Sequence, residues 1–178
     1  MKIRRVVAGV DKDGKSVALS DGTAPSTFDH QYLPGQAHTR IWQTDGTMTT
    51  APPTTEPTTD TGPLSLGPGG SSFLILQVAP DSVVTDPRFD GAKAAQELAT
   101  YLPDIAAAME PDNPGMHQTA TVDYGVVLDG EVHLELDDGV KIRLTAGDTV
   151  VQLGCRHAWR NPTDRPATVA FILTGVTA

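Results

Sequence analysis

The spacing of turn signals between Gly115 and Asn161 constrains this chain more than any other feature, because the turns come too often to leave room for helices. Asp129-Gly130, Asp137-Asp138-Gly139 and Ala146-Gly147-Asp148 are separated by short runs rich in β-branched residues. Asp-Gly between such runs is among the strongest short-range signals for a hairpin. Residues 123–128 form one run and Glu131 to Leu136 the next, with Val132, Leu134 and Leu136 on one face and Glu131, His133 and Glu135 on the other. That alternation marks a strand wet on one side. Val140, Ile142 and Leu144 repeat the pattern. Short antiparallel strands at this spacing predict a β-sandwich or barrel.

Strand periodicity then sorts the side chains that carry chemistry. His117, Thr119 and Asp123 share a parity, so in an extended chain they point to one side. Further on, Gly154 lets the backbone bend, and His157, Trp159 and Asn161 share one side of the next extended segment. Two imidazoles and one carboxylate from different strands can converge inside a barrel. A 2-His-1-carboxylate trio of this kind binds a divalent metal on one face and leaves the opposite positions open.

These residues carry a resemblance to the cupins, the small jelly-roll barrels. The first cupin motif runs H-x-H, three or four residues, Glu, six residues, Gly; here it reads His117, Gln118, Thr119, three residues, Asp123, six residues, Gly130. The second runs Gly, a short stretch, Pro-x-Gly, two residues, His, three residues, Asn; here it reads Gly147, Gln152-Leu153-Gly154, Cys155-Arg156, His157, three residues, Asn161. The resemblance covers about the C-terminal third of the chain. Thr119 stands at the family's usual second histidine, Asp123 replaces the usual Glu, and Gln152 takes the Pro place in a loop one residue short. What it implies is an all-β, jelly-roll β-barrel with three ligands, His117, Asp123 and His157, for a divalent metal: iron, zinc, manganese or nickel. It also implies a homodimer, since exposed barrel edges must be covered.

The rest of the chain is expected to add extra N-terminal strands and one short α-helix to the same domain. Residues 1–110 would supply these, and residues 111–178 the barrel core with both motifs. Ile3 to Val10 and Lys15 to Ser20 read as strands joined at Asp11-Lys12-Asp13-Gly14. His38 to Thr44 reads as a strand with His38, Arg40 and Trp42 on one face, Arg40 being expected in solvent or at a dimer contact. Thr47 to Pro63 is Thr/Pro-rich and reads as a flexible surface loop. Ser72 to Val78 suits a buried strand. GAKAAQELATYL reads as the helix, with Asp90 as N-cap and Pro103 as stop.

Composition narrows the partners. A formal net charge of -9 with scattered basic residues argues against nucleic acid, which needs a clustered positive face. The single cysteine, Cys155, excludes an internal disulfide and suits a reducing compartment. Neither a secretory leader nor a membrane span is legible, so a cytoplasmic location is expected.

Of the 5 histidines, His30, His38 and His133 read as structural or exposed. Cys155 reads as packing. Thr119, Gln152 and Trp159 are expected to complete a catalytic pocket: Thr119 facing a bound water or substrate, Gln152 offering uncharged hydrogen bonds, Trp159 forming a wall with Val127, Leu134 and Phe171. The expected ligand is a small, oxygen-bearing organic metabolite, handled by lyase, isomerase, decarboxylase or dioxygenase chemistry. A non-catalytic binding or sensor cupin, and a metal-free structural barrel, are the other readings.

Overall fold

The computed structural model describes residues 1–47 and 49–177; Met48, within the Thr/Pro-rich stretch, and Ala178 lie outside the described residues. The motif-bearing half forms two facing sheets. The larger contains β3 (Ser26–Asp29), β4 (Ala37–Thr44), β5 (Ser71–Val78), β11 (Ala167–Gly175), β6 (Thr121–Asp129) and β9 (Thr149–Leu153), in that order. The smaller contains β10 (Ala158–Arg160), β7 (Glu131–Glu135) and β8 (Lys141–Thr145). The N-terminal hairpin, β1 (Arg4–Val10) with β2 (Ser16–Thr23), makes a separate two-stranded ribbon.

Alternation puts the core between the sheets. Thr121, Asp123, Gly125 and Val127 face inward along β6, and Val169, Phe171 and Leu173 along β11, while Val132 meets this core from β7, where Leu134 is buried as well. Gly125 lies opposite Phe171 in the β6–β11 register, and a Cβ there would come within 2.9 Å of the Phe171 ring. The glycine is therefore what gives the ring its place.

Asp129-Gly130 is not the hairpin its sequence suggests. β6 pairs with β11 and β9, whereas β7 pairs with β8 and β10, so the turn carries the chain from one sheet to the other. Gly130 has φ 80°, the left-handed conformation the turn needs, and packs against the Ala167 backbone. Ala146-Gly147-Asp148 takes the chain back again, from β8 to β9. These two crossings give the jelly-roll closure, and of the three turns in this stretch Asp137-Asp138-Gly139 is the one that closes a hairpin, β7–β8.

Three other expectations change. Arg40 is 1% exposed rather than solvated: its guanidinium donates to the carbonyls of Gly62 (2.5 Å), Tyr101 (2.7 Å) and Pro63 (3.2 Å). A register shift between Arg40 and Trp42 flips the parity of β4, so Trp42 does not share the face of His38 and Arg40. Among its described residues the Thr/Pro-rich segment has no regular element, but it is strapped down by Arg40, by a bidentate Arg5–Glu56 pair (2.7 and 2.6 Å) and by a Ser26 hydroxyl bond to the Thr59 carbonyl.

Helix α1 (Asp81–Val84), a single turn, precedes α2 (Gly91–Tyr101), which is capped by the Asp90 carboxylate accepting from the Lys93 N–H at 3.1 Å. Pro103 both ends α2 and opens α3 (Pro103–Ala108) from its first position, where a missing N–H costs nothing. Leu98, Tyr101, Leu102 and Ile105 pack these helices onto the core. No helix among the described residues is long and apolar enough to cross a membrane.

Candidate metal centre

The site begins with backbone pairing. His117 and His157 form an isolated antiparallel bridge, each donating its N–H to the other's carbonyl at 2.9 Å. Their rings consequently lie 4.4 Å apart, inclined at 52°. Gly154, at φ 61°, makes the turn from β9 into this bridge, and its carbonyl accepts from the Gln118 amide at 2.6 Å. Arg156 clamps the turn from outside through a bidentate bond to Glu110 and a third to Asp137.

Each imidazole is oriented in the same way. Nδ1 of His117 meets the Gly115 carbonyl at 3.0 Å, and Nδ1 of His157 meets the Cys155 carbonyl at 2.9 Å. A carbonyl can only accept, so both Nδ1 atoms carry the proton, and in a neutral ring Nε2 then presents a lone pair. Burial, against the Cys155 carbonyl bond and reinforced by His117, pushes the His157 imidazolium down to about 4, so this ring is neutral near pH 7. Backbone carbonyls that fix the tautomer are the usual support of metal-ligating histidines.

Asp123 is 6% exposed on the inner face of β6, and burial raises its pKa against the lowering influence of Thr121 and His117. Its Oδ1 has no hydrogen-bond partner. Directly across the β6–β9 ladder sits Gln152, 2% exposed, with neither Oε1 nor Nε2 bonded. Thr119 is tied to Thr121, hydroxyl to hydroxyl, at 2.7 Å. Trp159 stands edge-on to His157 at 6.2 Å and packs on Phe171 at 5.2 Å, walling the histidines from the core.

The structure therefore pairs His117 with His157 and Asp123 with Gln152. Among the described residues no three His, Cys, Asp or Glu side chains are gathered closely enough to hold a metal ion on their own. By kind, the donors suit a divalent transition metal: two imidazole nitrogens, a buried carboxylate with an orphaned oxygen, and a buried amide with an orphaned oxygen. Asn161 belongs to the scaffold. Fully buried, it donates to the carbonyls of Val78 and Arg165 and accepts from Thr163. His30 and His38 are structural too, linked to each other at 3.2 Å and, through His30, to Glu97. The carbonyls of Gly115 and Cys155 and the Thr121 hydroxyl were missed by sequence reasoning, and backbone acceptors leave no residue-type signal to find.

A family model described as the cupin domain matches residues 108–173, the stretch containing the bridge, Asp123 and Gln152. That stretch is similar to a cupin domain and makes up less than half of the chain. The chain is 51% identical over 49 residues, 28% of its length, to Oryzines biosynthesis cluster protein J of Aspergillus oryzae, and 28% identical over 117 residues, 62% of its length, to the cupin-domain-containing oxidoreductase srdB of Neurospora crassa. The matches span 27% and 60% of those two proteins respectively. A Cupin 2 conserved barrel domain protein from Salinispora arenicola superimposes with a TM-score of 0.41 at 17% identity, over 80% of this chain and 78% of that one.

Proposed function

We propose that this chain is a metal-dependent cupin enzyme acting on a small, oxygen-bearing organic metabolite, with His117, Asp123 and His157 as ligands to a divalent cation. The observation that carries the reading is the pair of adjacent imidazoles, each oriented by an Nδ1–H bond to the carbonyl two residues before it. A divalent metal bound there supplies Lewis acidity, and iron supplies redox chemistry as well. Several curated relatives are named cupin-domain-containing oxidoreductases, which inclines the proposal toward the redox branch.

The chain's own residues divide the remaining work. Asp123 is a carboxylate whose burial is unfavourable without a positive partner, so its charge is reserved for a cation. Trp159 and Phe171 exclude water from the inner side of the site. The Thr119–Thr121 hydroxyl pair offers a neutral hydrogen-bonding group beside the histidines rather than a strong acid or base. The apolar outer face of β6, β9 and β11 is the surface through which we propose that two copies pair.

The test is metal content together with oxygen uptake. Protein stripped with a chelator and reloaded anaerobically with Fe(II) or Zn(II) should bind metal, and His117→Ala should lose it while keeping its β-sheet circular dichroism. Unchanged metal content in His117→Ala overturns the assignment. Oxygen uptake with small keto or hydroxy acids only in the iron form supports the redox branch. Tight ligand binding without turnover in either form indicates a binding or sensor cupin instead.

A further inference from the structure

We infer that Gln152 is a fourth protein donor to the same divalent metal, through its amide Oε1. The inference rests on the metal reading above and extends it to a residue outside the expected trio. It begins with an anomaly in the burial of polar groups. β9 alternates strictly, with Val151 and Leu153 59% and 75% exposed and Gln152 between them 2% exposed. The alternation drives a primary amide into the barrel, where both of its polar atoms lack a partner.

Elsewhere most of the described buried polar side chains are answered, the Ser65 hydroxyl being an exception. Arg40 and Asp104 each leave one atom orphaned, but bond through the others. Asn161, a shorter amide buried still more completely, has both ends bonded. Gln152 has neither, at a cost of about 1–3 kcal/mol for each unmet group. Its cross-strand neighbour Asp123 adds a third orphan, Oδ1. Side chains directly opposite on a ladder have Cβ atoms about 5 Å apart, yet these two do not bond to each other.

The charge pattern around the amide selects the missing partner. Asp123 Oδ1 and Gln152 Oε1 are unanswered acceptors on neighbouring strands, and the Nδ1–H bonds of His117 and His157 leave each Nε2 as an acceptor as well. Unanswered acceptors with no donor among them call for a cation. The position that would otherwise supply a third imidazole holds Thr119, whose hydroxyl is engaged with Thr121. Gln152 Oε1 therefore completes the donor set from the opposite strand, and its Nε2–H remains to donate to an oxygen of an organic ligand.

Co(II) titration of chelator-stripped full-length chain tests this, with d–d absorption as the readout of the coordination sphere. Gln152→Leu should weaken Co(II) binding about 10–100-fold and change the absorption spectrum, whereas Gln152→Glu should retain or tighten binding. Without metal, Gln152→Leu should melt at a higher temperature than wild type, because the orphaned amide is gone. If Gln152→Leu binds Co(II) like wild type with an identical spectrum while His157→Ala abolishes binding, Gln152 is no ligand and the metal reading survives. If wild type itself binds no Co(II), the metal reading fails and this inference fails with it.

Discussion

His117 and His157 are bridged through their backbones, not their side chains: each amide donates to the other's carbonyl at 2.9 Å, leaving both imidazoles free to face the same space. Because each Nδ1 meets a carbonyl, the structure fixes one tautomer for both rings. Imidazole 15N NMR of the metal-free chain at pH 7 should therefore show protonated Nδ1 and bare Nε2 for both residues. Protonated Nε2 on either ring would remove the basis for assigning it as a ligand.

The β-rich fold was readable because its strands bury one face each. The period-2 runs of β6 and β7, the apolar run of β5 and the Asp90-capped α2 each carry a local signature. Sheet membership was not readable. Asp129-Gly130 has the residues of a hairpin turn, but pairing of β6 with β11 is decided by a strand far along the chain. Arg40 escaped for a similar reason, since its partners are carbonyls of a loop without sequence periodicity. In the site, parity correctly turned Asp123 inward and Tyr124 outward. It could not show that Gln152 would lie opposite Asp123 with nothing to bond.

Arg40 gives a direct test of the strapped segment. Arg40→Met removes the donors to Gly62, Pro63 and Tyr101 and leaves buried carbonyls unpaired. The expected loss is about 3–5 kcal/mol by urea denaturation, with protease cleavage appearing first within residues 49–63. A variant that keeps wild-type stability and proteolytic pattern would show that the guanidinium does not anchor the segment.

Acid should weaken the fold through its buried histidines. Burial, with His30 and Arg40 adding to it, pushes the His38 imidazolium down to about 3, and burial lowers His30 as well, against Glu97. In the unfolded chain these rings take up protons around their ordinary 6.5, so between about 6.5 and 3 the unfolded state binds more protons and stability falls as pH drops. For His38 alone the full effect is on the order of 4 kcal/mol. His157 adds in the same sense, so the comparison is with His38→Asn, whose stability should depend less steeply on pH between 6.5 and 4. Parallel curves for the two proteins would contradict the assignment.

The last prediction concerns the outer face of the larger sheet. Tyr124, Val151, Leu153 and Ile172 are 51%, 59%, 75% and 42% exposed, and they adjoin across β6, β9 and β11. β9 is also a terminal strand of its sheet, so one row of its backbone N–H and C=O groups has no ladder partner. An apolar surface beside an open edge invites pairing, and among natural sheets such edges are covered or charged. β9 carries no charge at all along Thr149–Leu153. Pairing of two copies through this face would cover both features at once, so sedimentation equilibrium at micromolar concentration should give a dimer. Leu153→Asp, which places a carboxylate on the outward side of β9 and leaves the inward Gln152 in place, should yield a monomer with unchanged circular dichroism. A wild-type chain that sediments as a monomer, or a Leu153→Asp variant that remains a dimer, would assign the interface elsewhere or remove it.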